Sequence, residues 1–159
     1  MTVATTLAAL AAKLATITSP QAFTRVWAQP QEQLSAQSFP LAMCALKPRA
    51  THTCKVQALG GTYRHNYIVQ AIVVTGQRTA GRGLPELHDR TIPWIEPLNA
   101  LFLEWVQLGG ALPGGFVGGP NDATTFSYQV GPIDWGDGSY FGLTLDIPIT
   151  EYAQATIGA

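Results

Sequence analysis

The chain has 159 residues, 47% of them hydrophobic and only 12% charged, with a formal net charge of −1. That length suits one domain, and a surface so far below the usual charge content of about 25% implies that part of it is covered by another chain. No uninterrupted apolar run approaches the roughly 18–20 residues needed to span a bilayer, so no membrane partner is expected. The Ala- and Leu-rich start, Met1 to Ile17, lacks a basic n-region and holds Lys13 inside its apolar stretch, which reads as a structural helix and not a signal peptide.

The charges are unevenly placed. Residues 1–82 carry eight basic side chains against one acid, and residues 83–159 carry one base against nine acids. If the two halves occupy different faces, the subunit is a charge dipole suited to head-to-tail contact between copies. If the fold interleaves them, the fields cancel. The two cysteines, Cys44 and Cys54, have no metal-ligand spacing and read as free thiols.

In chain order, Val3, Leu7, Leu10, Leu14 and Ile17 form one helical stripe, with Thr2 as N-cap and Thr18-Ser19-Pro20 as the stop. Phe23, Arg25 and Trp27 alternate briefly. Phe39 to Leu46 reads as a buried strand with Pro40 near its start, and Cys54 to Leu59 as a weak strand before the Gly60-Gly61 turn. Tyr63 to Thr75 begins by alternating and becomes wholly apolar at Ala71–Val74, which predicts one outlying end and one end buried on both faces.

Residues 76–91 read as an extended loop. A helix is predicted to start near Ile92, with Pro93 and Pro97 in its first turn and Trp94, Ile95, Leu98, Phe102, Trp105 and Val106 at helical spacing. Gly109-Gly110 ends it, and residues 109–120 form a second, Gly-rich loop. The last forty residues predict a β-hairpin. Phe126, Tyr128 and Val130 alternate, Gly136-Asp137-Gly138 turns the chain, and Phe141, Leu143, Leu145, Ile147 and Ile149 occupy every second position. Pro148 is expected at a sheet edge or past the last ladder bond. The whole reads as a single α+β domain over residues 1–159, a mainly antiparallel sheet packed by two helices.

No catalytic constellation assembles from these residues, so an enzyme is not expected, and neither is a cofactor. His52, His65 and His88 are the only bases near neutrality. His65 shares a strand face with Tyr63 and Tyr67, and His88-Asp89 is a loop neighbour pair. The Gly-rich connector lacks the Gly-Lys-Ser/Thr ending of a phosphate loop. Asp122, Asp134 and Asp137 would ligate a divalent cation only if they converged, and turn chemistry explains Asp137 without one. A competing reading is nucleic-acid binding by Lys47, Arg49, Lys55, Arg64, Arg78 and Arg82 with Tyr63 and Tyr67 as stacking partners.

Three segments carry a family resemblance: "TLAALAAKLATI", "IPWIEPL" and "YQVGPIDWGDGSYFGLTLDIPITEY". In these, and in the order of its elements, the chain resembles the tail-terminator (tail completion) proteins of long-tailed phages and gene-transfer particles, the group of the lambda-type minor tail protein U. The resemblance implies a structural virion protein assembled in the host cytoplasm. It would form a homohexameric ring that stops the tail tube, meets the tail-tube protein and the head-neck connector or stopper protein, and lets DNA pass through its lumen. Another neck or tail-tube component is the variant within that class. Strand addition through the Phe141–Ile149 strand or its partner is one way to close such a ring. The expected subunit or partner contacts are Arg78, Arg82 and Arg90 in the basic loop, and Asp134, Trp135, Asp137, Tyr140 and Pro148 in the hairpin.

Overall fold

The computed structural model describes residues 3–34, 37–56, 61–79, 83–104, 116–117 and 126–154. The chain is α+β, with one seven-stranded mixed sheet, mainly antiparallel, and helices packed on it. In chain order the elements are α1 (Val3–Leu14), β1 (Arg25–Trp27), β2 (Leu41–Leu46), β3 (Thr53–Val56), β4 (Thr62–Gln77), α2 (Leu84–Thr91), a 3₁₀ turn (Ile92–Trp94), α3 (Ile95–Glu104), β5 (Phe116–Val117), β6 (Ser127–Trp135) and β7 (Gly138–Gln154).

The frame is the antiparallel ribbon of the two longest strands, β4 and β7, paired from Thr62↔Gln154 to Gln77↔Tyr140. On its far side β4 carries β2 along one stretch and β3 along another, and β1 adds parallel to β2. On its far side β7 carries β6 and then the two residues of β5. Period-2 alternation sorts the side chains. Tyr67, Val69, Ala71 and Val73 of β4, with Leu143, Leu145, Ile147 and Ile149 of β7, face a core formed with Leu10 and Leu14 of α1 and with Trp94, Leu98 and Phe102.

Among the described residues the other face is covered at one end only. There Leu41, Met43, Ile72, Val74 and Tyr140 enclose Leu34 from the segment that crosses between β1 and β2. A parallel pair requires such a crossover, because a tight turn cannot return the chain in the same direction. Ala71–Val74 is therefore buried on both sides and Arg64–Asn66 is half-exposed, as the changing pattern of that strand predicts.

At the bulge between Val74 and Gly76 the two long strands pack backbone to backbone. A Cβ at Gly142 would lie 1.9 Å from the Val73 carbonyl oxygen, so only glycine fits there. The extra residue, Thr75, donates its hydroxyl to the Phe141 carbonyl at 3.1 Å and meets the Thr91 hydroxyl at 2.7 Å.

Thr91 belongs to α2, and this corrects the expectation of an extended loop over 76–91: residues Leu84–Thr91 are helical, opened by Pro85 in the first turn. Only Leu87 and Thr91 of this helix are buried, too few to create an apolar period. The helix predicted from Ile92 is instead the continuation of α2 through the 3₁₀ turn into α3, which carries Pro97 in its first turn. Within the second predicted loop, Phe116–Val117 pairs with Thr150 and Ile149 as a short strand. Thr2, Trp105, Val106, Gly109 and Gly110 lie outside the described residues.

Pro148 is also corrected. It sits opposite Ile68 well inside β7, not past the last ladder bond. On the other side of β7 it falls between Asp146, the last partner of β6, and Ile149, the first of β5. A residue without an N–H is accommodated in such an interval.

Candidate interaction surfaces

The sheet order separates the charges. Arg25, Lys55 and Arg64 lie on β1, β3 and β4, whereas Asp134, Asp146 and Glu151 lie on β6 and β7. Within the sheet the basic and acidic halves therefore stand side by side, divided by the β4–β7 seam, and do not interleave. Lys47 crosses the seam to pair with Asp146, which also accepts from Gln70 Nε2 at 2.9 Å.

Among the described residues each side of the sheet has two strands without a further partner, β1 and β3 on the basic side and β5 and β6 on the acidic side, and of these β3 and β6 carry the exposed apolar residues. These are Val56 on β3 (79% exposed) and Tyr128 on β6 (43%). Register places both on the helix-bearing face, since Val56 opposes Tyr63 and Tyr128 opposes Leu145. The strand Phe141–Ile149 is not itself available for addition, because β4 and β6 flank it. The free edge belongs to its partner β6.

Most of the expected hairpin contacts are turned inward. Asp137 accepts the Leu34 N–H at 2.7 Å and the Tyr140 hydroxyl at 2.9 Å. Tyr140 is fully buried, and burial, followed by the neighbouring Asp137 carboxylate, pushes its phenol up to about 12. Trp135 is half-buried and donates its indole N–H to the Gln31 carbonyl. These three residues clamp the crossing segment. Asp134 stays exposed and accepts from Ser139 Oγ at 2.9 Å.

Of the basic residues, Arg90 is paired with Glu86 one helical turn away at 2.9 Å. It lines a cavity of about 640 Å³ with Trp94, Phe39 and Pro40. Arg78 is exposed beside a second cavity of about 550 Å³ between α2 and the hairpin, walled by Leu84, His88, Pro132 and Phe141. Arg82 lies outside the described residues, as does Asp122.

The buried polar groups have structural work. Glu151 (7% exposed) accepts from Thr6 of α1 at 3.1 Å and from Tyr67 at 2.7 Å. Burial, above all, holds the Tyr67 phenol above its ordinary value. Neither cavity is lined by these three residues. His52 Nδ1 accepts the Ile68 N–H, and the His65 ring tilts against Tyr67 at 4.9 Å. No group of three His, Cys, Asp or Glu side chains converges for a metal among the described residues. Cys44 is buried and Cys54 exposed, both free, and burial pushes the Cys44 thiol up to about 12.

The basic and aromatic residues grouped by sequence do not assemble as one face. Tyr67 is 2% exposed, and Tyr63 points to the face opposite Arg64. What does assemble is a cross-strand row, Lys55–Arg64–Tyr152, on the open face of the sheet. Nothing in the sequence marks Tyr152, because its neighbour across the sheet is nearly ninety positions away.

No protein family matches this chain, and no curated protein matches it. Among the described residues, no helix is long and apolar enough to cross a membrane.

Proposed function

We propose that this chain is a ring-forming tail terminator, a structural virion protein that closes the tail tube of a long-tailed particle and joins it to the head-neck connector. The observation that carries the reading is that open strands stand on both sides of one sheet, β3 among them on the basic side and β6 on the acidic side. These two each carry an exposed apolar residue on the same face. An edge presenting unpaired N–H and C=O groups takes up another strand readily. Pairing β6 of one copy with β3 of the next is heterologous, so it closes into a ring when the rotation permits.

In that arrangement Val56 and Tyr128 meet on one face while the positive and negative sides attract. The low charge content fits a surface that is partly covered in the assembly. The family resemblance supplies the six-fold symmetry and the tail-tube and connector partners. The reading assigns the chain no catalytic role. It is tested by light scattering with negative-stain microscopy: a mass near six protomers and six-fold rings are expected. A strictly monomeric species at high concentration, with no rings on addition of tail tubes, would overturn it.

A further inference from the structure

The open face of the sheet has a composition of its own. Lys55, Arg64 and Tyr152 oppose one another across β3, β4 and β7, so their side chains share that face. Lys55 is exposed, Tyr152 is 39% exposed, and Arg64 is half-buried. Neither cation is ion-paired among the described residues, and the Nε of Arg64 is enclosed without a hydrogen-bond partner. Its guanidinium is thus neither neutralised nor tied down by a side chain described here. Arg49 stands exposed at the corner between β2 and β3. The strand acid on this face is Asp146, and Lys47 already compensates it.

The next row is a hydrogen-bonded polar floor. Asn66 donates to Thr53 at 3.2 Å and accepts from Thr150 at 3.1 Å. Protein-binding faces are built around apolar anchors set in pockets. This face is polar, hydrogen-bonded to itself and cationic, with one exposed aromatic ring among the described residues. Unpaired cations beside an aromatic platform fit an anionic polymer whose bases can stack.

We propose that this face binds single-stranded nucleic acid, with Arg64 and Lys55 on successive phosphates and a base on the Tyr152 ring. The site lies on the face opposite Val56 and Tyr128, so it does not depend on ring formation and is tested separately from it.

The test is fluorescence anisotropy of the full chain with a short labelled oligothymidylate between about 50 and 200 mM salt. Binding should weaken as salt rises. Lys55→Gln and Arg64→Gln should each lower the log–log salt slope by about 0.7, the value for one lost single-strand phosphate contact. Tyr152→Ala should weaken binding roughly 5- to 100-fold, in line with loss of one stacked base. Ile92→Ala, an exposed residue of the 3₁₀ turn outside both proposed surfaces, should bind as the unaltered chain does. The exposed Lys55 and Tyr152 keep the test decisive should Arg64→Gln fail to fold. Absence of binding, an unchanged salt slope in Lys55→Gln together with unchanged affinity in Tyr152→Ala, or equal competition by polyglutamate would each overturn the proposal. The last outcome would assign the face to an acidic protein.

Discussion

Thr6, the fourth residue of α1, donates its hydroxyl proton to the Glu151 carboxylate near the end of β7, at 3.1 Å, across 145 positions of sequence. The same carboxylate oxygen accepts from Tyr67, so one buried acid ties a helix to both long strands. Replacing Glu151 by Ala should cost roughly 1–3 kcal/mol, because two buried hydroxyls lose their charged acceptor. Urea unfolding would measure it. Thr6→Val, which leaves the Tyr67–Glu151 bond in place, should cost less.

Gly142→Ala is expected to be among the most damaging single substitutions in the sheet. The added methyl would meet the Val73 carbonyl oxygen at 1.9 Å and the Val73 carbonyl carbon at 2.9 Å, and both belong to backbone held on two sides. Loss of soluble folded protein, or a fall in melting temperature far larger than that of Gly131→Ala, is the expected result. A Cβ at Gly131 meets nothing within 4 Å.

The two thiols should react at very different rates. Cys54 is exposed, whereas Cys44 is fully buried with its thiol pushed up to about 12. Because the thiolate is the nucleophile, an aromatic disulfide reagent at mild alkaline pH should modify one thiol promptly and the second only in denaturant. Prompt reaction of both would contradict the burial of Cys44.

Alkaline stability follows from the buried phenols. Tyr140 is raised from 10.0 to about 12, and Tyr67 is raised as well. The folded state therefore keeps protons that the unfolded chain has given up, and stability falls as pH rises. Melting temperature should be insensitive to these groups below about pH 9 and decline between pH 10 and 12. Tyr140→Phe should remove part of that decline.

For assembly, Val56→Glu places an acid on the basic edge and should impair ring formation while leaving the monomer folded, as judged by circular dichroism and light scattering. Arg78→Glu is the matching change beside the cavity at the hairpin. Arg90→Glu should affect assembly less, since Arg90 is already engaged with Glu86. Unchanged mass distributions in Val56→Glu and Arg78→Glu would remove this edge and this arginine from the interface.

How legible the molecule was depends on how far apart the cooperating residues lie. The alternation of Phe141 to Ile149 and the change of character along β4 report burial directly, and both strands are present as read. The helix α2 is not legible in the sequence, because two buried residues in eight leave no periodic signal among three charged side chains and a proline. In sequence the hairpin tip reads as a contact surface, because turn chemistry tells what bends the chain and nothing about what packs behind it. Here Leu34 and Gln31 do, roughly a hundred positions earlier. The row Lys55–Arg64–Tyr152 becomes visible only with the register. Tyr63 and Tyr67 are closer to Arg64 in sequence but lie on the opposite face, because neighbouring positions on a strand alternate.

The pairing of Tyr67 with Glu151 spans 84 positions, and the same holds in kind along the whole β4–β7 seam. During synthesis, β4 is complete long before its central partner exists. Its apolar segment Ile72–Val74, fully enclosed in the finished sheet, must then wait with one edge unpaired. Contacts this distant in sequence slow folding, and an unpaired apolar strand invites the wrong neighbour. The chain should therefore be most prone to misassociate while nascent, and yield should improve when expression is slowed or cooled.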